Sequence, residues 1–335
     1  MSARNAWRRA DVLLPLASFA LVLLAFLVVP GMRGEEVTDA SLFNGLQGFA
    51  PLGLIALALG LTLIAGEFDV SVLGMQALGG VLAVRAGGSA GLLGVLAAVA
   101  GCGLLGLVQG VAIARLQLQS LSVTIGTYVV LLGLTNVIAG DDTLSFGNVG
   151  ASVWVDQQLL SWFSPRSLIT IGIFLAALVL LSATRIGPEI KAIGSNRRAG
   201  RGSGVPVERR LAALFTCSGA LAGLAGALLS YSNASASLDP GLGPLILATA
   251  AAVLGGLSLS GGRGTIWGLL LGALAVALLQ QLFAILALPT STTQIVFGAL
   301  LLVVVTIDAP ELRTTLSGAA VRRRTERQRV EERTP

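Results

Sequence analysis

Long apolar runs alternate with short clusters of charge or glycine along nearly the whole of this 335-residue chain. The runs fall at 13–29, 49–65, 70–84, 92–114, 121–139, 168–183, 211–229, 245–257, 266–286 and 295–307. A membrane-crossing helix needs around 20 apolar residues, with a range of about 17–25. The pattern therefore predicts an all-α polytopic membrane protein with about ten transmembrane helices. The third, eighth and tenth runs are short by that standard and are expected to be tilted, broken or re-entrant, which brackets the count at roughly nine to eleven. The first run lacks a small-residue cleavage site and is followed by further spans, so it is expected to be a retained helix. The organisation expected is a cytoplasmic segment over 1–12, a membrane domain over 13–308 with a cytoplasmic loop near 184–210, and a basic cytoplasmic tail over 309–335.

Composition agrees with a lipid-facing surface. Hydrophobic residues make up 54% of the chain and charged residues 12%, with a mean hydropathy of +0.85. A soluble domain carries roughly a quarter charged residues. The 43 glycines suit membrane helices that pack closely through small side chains. Charge then sets orientation, because basic residues collect in cytoplasmic loops. With the amino terminus inside and ten spans, 19 of the 22 basic residues fall inside, and only Arg33, Arg85 and Arg166 fall outside. Glu35, Glu36, Asp39, Asp141, Asp142, Asp156 and Asp239 lie on the outer side. An even number of spans with both termini inside follows, and the arginines of the tail read as a topological anchor. The expected location is a bacterial cytoplasmic membrane.

Several chemistries lack their residues. There is no histidine. The one lysine, Lys191, is followed by Ala192, whereas a phosphate-binding P-loop needs Gly-Lys-Ser/Thr at a helix start. Any ATP-driven activity must be borrowed from another subunit. Cys102 and Cys217 lie apart inside apolar runs and read as small membrane-core residues. No catalytic, metal or cofactor site is expected in this chain.

Three stretches depart from plain spans. Gly66-Glu67-Phe68-Asp69-Val70-Ser71-Val72 sets two carboxylates at the edge of apolar runs, where they are costly unless wet or partnered. It reads either as a broken-helix element near a pathway or as a short cytoplasmic turn with solvated acids, and spacing favours the turn. Gly255-Gly256-Leu257-Ser258-Leu259-Ser260-Gly261-Gly262-Arg263-Gly264 is too rich in glycine for a lipid-exposed helix and predicts a tight turn between packed helices. The two share Gly-x-[Phe/Leu]-[Asp/Ser]-[Val/Leu]-Ser, a thin sign of an internal repeat. The third stretch, 184–207, is basic yet interleaved with Ile190, Ile193, Val205 and Val207. That pattern suits docking into a partner's groove as well as an ordinary positive-inside loop.

In order, these motifs resemble those of the membrane permeases of ribose/monosaccharide-type bacterial ABC importers. Residues 65–72 are similar to that family's Gly-Gly-Ile-Asp-Leu-Ser-Val-Gly element, with Gly66, Asp69 and Ser71 in place. Ser122-Val123-Thr124-Ile125-Gly126-Thr127 resembles Ile-Val-Thr-Leu-Gly-Thr. Lys191-Ala192-Ile193-Gly194-Ser195-Asn196, with Ala199 and Gly204, resembles Tyr-Ala-Ile-Gly-Gly-Asn…Ala…Gly. Gly255, Gly256, Ser258, Gly261, Gly262 and Gly264 resemble Gly-Gly-Thr-Ser-Leu-x-Gly-Gly-x-Gly-Ser. The resemblance spans about residues 45–308. It implies a fold like type II ABC importer permeases, a second permease (identical or homologous), two cytoplasmic ATP-binding subunits that carry ATP-Mg, and a periplasmic or lipid-anchored solute-binding protein. Membrane lipids complete the partners, with no nucleic acid. The implied role is half of the pathway for a small polar solute such as a monosaccharide, with 191–204 as the loop coupling it to the ATPase.

Glu67 departs from the family, which has glycine there, and Leu73 stands where a glycine normally follows. Gly200 and Gly202 replace Ala and Leu in the coupling loop, each lowering helix stability by about 0.8–1.0 kcal/mol against alanine, so a shorter or more mobile helix is expected there. Asn44, Gln47, Thr124, Thr127, Asn136, Gln280 and Gln281 are candidates for a wet path or for helix–helix hydrogen bonds. The rival reading is an ion-coupled secondary transporter or facilitator using Glu67, Asp69 and Asp308 as membrane carboxylates.

Overall fold

The computed structural model describes residues 3–308 apart from Asp141 and Thr143. The tail expected over 309–335 lies outside the described residues, as do the side chains of Asp308 and of residues 3–12. The helices are α1 (Ala3–Met32), α2 (Asp39–Ile64), α3 (Val72–Ala86), α4 (Gly91–Leu116), α5 (Ser120–Ala139), α6 (Val149–Asp156), α7 (Pro165–Ala183), α8 (Ile186–Ser195), α9 (Arg197–Gly202), α10 (Val207–Ser232), α11 (Gly243–Leu254), α12 (Ile266–Ile285) and α13 (Thr290–Asp308). Seven of them are long and apolar enough to cross a membrane, and α3, α11 and α13 contribute shorter apolar helices. Together these ten are the ten runs read from the sequence.

The boundaries differ from the hydropathy runs where polar residues are used inside helices. The α2 helix begins at Asp39, well before the apolar run at 49, because Thr38 and Ser41 form a reciprocal capping box. The α11 helix stops at Leu254, three residues short of the run. Between the spans, two-residue strands β1 (Leu144–Ser145) and β2 (Ser235–Ala236) pair antiparallel. These strands and α6 lie at one face of the bundle, while α8 and α9 lie at the other.

The α2 helix is the buried centre. Nearly nine-tenths of its most apolar window is enclosed, whereas α1, α5 and α7 expose leucines and valines along their length, such as Leu21, Val130 and Val179. A helix apolar all round belongs inside a bundle. Beside it α10 packs between α3 and α4, and the approach is set by small residues. A β-carbon added at Gly226 would stand 1.9 Å from the carbonyl oxygen of Gln76, and one at Gly79 would stand 2.4 Å from the Cα of Gly223. Close backbone contact supplies the dispersion that holds helices together where lipid removes the hydrophobic drive.

Two of the three basic residues outside the charge rule are employed structurally. Arg85 donates to the carbonyls of Ile138 (3.1 Å) and Ala139 (3.0 Å), closing the carboxyl end of α5. Arg166 pairs with Asp156 at 2.9 Å. Gly226→Val should lower stability by about 1–3 kcal/mol through overpacking, read as a lower thermal midpoint in detergent. Gly126→Ala has open space around it and should leave the midpoint equal or higher.

Candidate functional site

Two helices end in the same way. After α2, the Gly66 amide donates to the Leu63 carbonyl (2.9 Å) and the Glu67 amide to that of Thr62 (3.0 Å), with Gly66 at φ +79°. After α11, Gly256 donates to Val253 (2.8 Å) and Leu257 to Ala252 (2.9 Å), with Gly256 at φ +77°. Both are Schellman ends, which need a left-handed residue at the position glycine fills. The internal repeat is thus one of backbone geometry. Its register pairs Gly66 with Gly256, one residue away from the alignment that the shared residues suggest.

The three unusual stretches meet. The Gly262 amide donates to the Ile64 carbonyl at 2.9 Å, tying the 255–264 turn to the end of α2. A β-carbon on Gly194 of α8 would stand 2.1 Å from that same carbonyl oxygen and 2.5 Å from the Gly262 nitrogen. One on Gly261 would fall 2.4 Å from the Cα of Gly66. Backbone touches backbone at five positions, Ile64, Gly66, Gly194, Gly261 and Gly262, drawn from three distant parts of the chain. Arg197, at the start of α9, reaches across to pair with Glu67. Burial pushes the Glu67 carboxyl above its ordinary range, while Ser120 and Arg197 pull it down.

The 66–71 element is not a wet turn. Glu67 and Asp69 are both buried, which corrects the solvated reading. The Asp69 carboxylate accepts from the Ser71 amide (3.0 Å), the Ser71 hydroxyl (2.5 Å), Gln109 (3.4 Å) and Ser218 (2.8 Å). Thr124 takes a bond from the Val70 amide (3.2 Å) and gives one to the Phe68 carbonyl (3.3 Å). Residues of α4, α5 and α10 therefore fix this break. Thr127 donates to the Val123 carbonyl of its own helix (2.9 Å), and Gly126 faces open space.

The loop after α7 folds into α8 and α9, divided at Asn196, whose side chain caps α9 by accepting from the Ala199 amide (3.0 Å). A third Schellman end follows at Gly204, with Val205 bonded to Gly200 and Gly204 to Arg201. With two glycines inside it, α9 is only six residues long. Ile190, Ile193 and Val207 are buried and fasten the loop to its own bundle. The outer surface instead carries Ser195, Asn196, Arg198 and Ala199, with Lys191 and Ala192 half-buried. Gly264 (φ +121°) packs on Leu257, and Ser258 is buried beneath the turn.

The polar residues proposed to line a path are used otherwise or sit apart. Gln47 donates to Asp156 (3.2 Å) and accepts from Ser164 (2.7 Å) and Arg166, while Ser232 donates to Asp156 (2.7 Å). This network clasps α2, α6, α7 and α10 at the β-strand face. Asn136 bonds to the Leu132 carbonyl of its own helix (2.8 Å). Asn44 is exposed, Gln280 and Gln281 are half-buried, and Gln281 packs near Gly45. A polar cavity of about 280 Å³ opens elsewhere, between α3, α10 and the 233–240 loop. Sequence reasoning missed it. Its one legible signal was Gln76, a lone amide in an apolar helix beside the 66–71 break.

The profile of the family described as "Branched-chain amino acid transport system / permease component" matches residues 41–305. The L-arabinose ABC transporter permease protein AraH of Azospirillum brasilense is 30% identical over 299 residues, covering 86% of each chain. The ribose import permease protein RbsC of Escherichia coli (strain K12) is 32% identical over 298 residues, 86% of this chain and 91% of its own. The fructose import permease protein FrcC of Rhizobium meliloti is 28% identical over 304 residues, 88% of this chain and 84% of its own. No solved structure gives a significant match. The ion-coupled reading therefore falls, its Asp69 carboxylate already filled by donors and its Glu67 paired. With most of its length matched by one profile and by relatives of this coverage, the chain belongs to the multi-pass permease components of ABC importers.

Proposed function

We propose that this permease forms, with an identical or homologous second copy, the membrane path of an importer for a monosaccharide, and that it is driven through its α8–α9 loop by separate ATP-binding subunits. The observation carrying the reading is the junction at Gly194. A helix pair on the basic face rests its backbone on the ends of two transmembrane helices at once. A push on α8–α9 therefore reaches α2 and the α11–α12 turn without passing through flexible side chains, which is what energy coupling between distant states needs. The sugar class is supported by the names of the arabinose, ribose and fructose permeases among its relatives.

The remaining parts of the reading follow from charge and chemistry. The lone lysine, Lys191, is followed by Ala192, so ATP-Mg belongs on the partner subunits and this chain supplies no hydrolytic step. The α8–α9 face is cytoplasmic, both termini with it, in the inner membrane of a bacterium, because the basic residues gather there. The opposite face, with α6 and the β1–β2 pair, receives a periplasmic or lipid-anchored solute-binding protein. A fluorescent-protein fusion at the carboxyl terminus should fold and emit in the cytoplasm; a dark fusion that becomes bright when one span is deleted would reverse the orientation.

The coupling loop is tested through Asn196. Loss of a helix cap costs about 1 kcal/mol, so Asn196→Ala should weaken retention of the ATP-binding subunit by about 5-fold on co-purification and reduce uptake in step. Asn196→Asp keeps a capping oxygen and should restore both. Undiminished retention in Asn196→Ala and in Gly194→Val together would remove α8–α9 from the coupling path.

A further inference from the structure

Among the described residues three buried side-chain atoms lack a hydrogen-bond partner, Gln76 Oε1, Gln109 Oε1 and Ser152 Oγ. Gln76, 5% exposed, is the one of these that lines a polar cavity. The residue lines the cavity of about 280 Å³, together with Ser230, Asn233, Ser235, Ser237 and Asp239. Unpaired buried amides are expensive and uncommon, and this one borders open polar space. Ser230 is also buried, while Asn233, Ser237 and Asp239 are exposed at the mouth. Asp239 is held there by the Tyr128 hydroxyl (3.3 Å) and the Gly241 amide (2.8 Å).

Position and chemistry narrow the occupant. Gln76 lies ten residues from the end of α3 at Ala86, about 15 Å along the axis at 1.5 Å per residue, which is half of the roughly 30 Å hydrocarbon layer. The cavity is bounded by α3 and, through Pro244, by α11, the two short helices with Schellman breaks beside them. Short or interrupted helices near mid-membrane are where secondary transporters place their solute sites, because freed backbone and polar side chains there face a cavity, as they do here. The lining holds amide, hydroxyl and carboxylate groups and not one lysine or arginine, so it does not suit an anion. Its volume of about 280 Å³ falls just below the range of about 300–1,000 Å³ for ligand sites, which suits a small solute. The larger cavity of about 710 Å³ beside Leu92, Trp154 and Tyr231 has a mainly apolar lining and offers little to a polar solute.

We infer that the Gln76 cavity is a solute site on the import path, in which Gln76 and Ser230 at the floor and Asn233 and Asp239 at the mouth hydrogen-bond a neutral polyhydroxylated solute. The inference rests on the sugar reading above and adds the place on this chain where the solute stops.

The test is uptake of labelled D-ribose, L-arabinose and D-fructose by cells carrying the complete importer. Gln76→Leu removes one hydrogen bond to the solute and should cut uptake by about 3- to 10-fold at low sugar. Leucine of similar size also removes the orphaned oxygen, so the thermal midpoint should hold or rise, and the ATPase rate of the complex should be kept. In a second arm, Asn233→Cys is treated from outside with a membrane-impermeant thiosulfonate, with the parent chain and its Cys102 and Cys217 as control. Uptake should be blocked, and saturating sugar should slow the block several-fold. If the parent imports sugar while both variants import it unimpaired, the cavity is not on the path and only this inference falls. A lower midpoint in Gln76→Leu would leave the Asn233→Cys arm to decide. A parent importer that takes up none of the three sugars overturns the sugar reading and this site together.

Discussion

Everything at the basic face depends on the carbonyl of Ile64. It closes α2, and it is reached by the amide of Gly262 at 2.9 Å while the Cα of Gly194 rests against it. A helix end buried away from water must find donors for its last carbonyls. Here the donor comes from a turn about 200 residues onward, so satisfying one helix end also fastens two others. Any side chain at Gly194 or Gly261 would separate the three backbones before the bond could form. The steric demand and the hydrogen-bond demand are one constraint.

Around that point buried polar groups gather into two separate hydrogen-bonded networks, one at each face. Asp69 with Ser71, Gln109 and Ser218 holds the 66–71 break against α4 and α10. Gln47 with Asp156, Ser164 and Arg166 clasps the opposite end of α2 to α7. Buried networks that are filled rigidify what they join. The bundle is therefore firm at both ends of its central helix, and the polar space left unfilled lies between them, beside α3 and α11.

Much of this was legible in the sequence, for reasons that differ by residue. Apolar run length located all ten apolar helices, seven of them long enough to cross a membrane, because lipid thickness sets that length directly. Glycine at 66, 194, 261 and 262 was visible because clusters of it have little use in lipid-exposed helix. That these glycines touch was not visible, since the contacts join residues far apart in the chain. Asp69 looked solvated for the same reason: its donors Gln109 and Ser218 arrive from other helices. Ile190 and Ile193 show the limit of amphipathic pattern, which tells that a face is covered and not by what. They are covered by the chain itself. Gln47 and Asn136 could be recognised as polar residues in a membrane, but the choice between a path and a helix–helix bond is decided by partners that spacing does not reveal.

The pairing of Glu67 with Arg197 carries a consequence for how this chain can change. Glu67 is buried on the seam between the α2–α3 break and the α8–α9 loop. Removing Arg197 alone would strand a buried carboxylate, at a cost of several kcal/mol for such pairs. Removing Glu67 alone would leave a guanidinium on a seam built to receive it. The pair therefore acts as an ion lock between the membrane core and the α8–α9 loop. A loop brought in without an arginine at 197 would leave the buried Glu67 acid without its cation, so the two segments are best exchanged together.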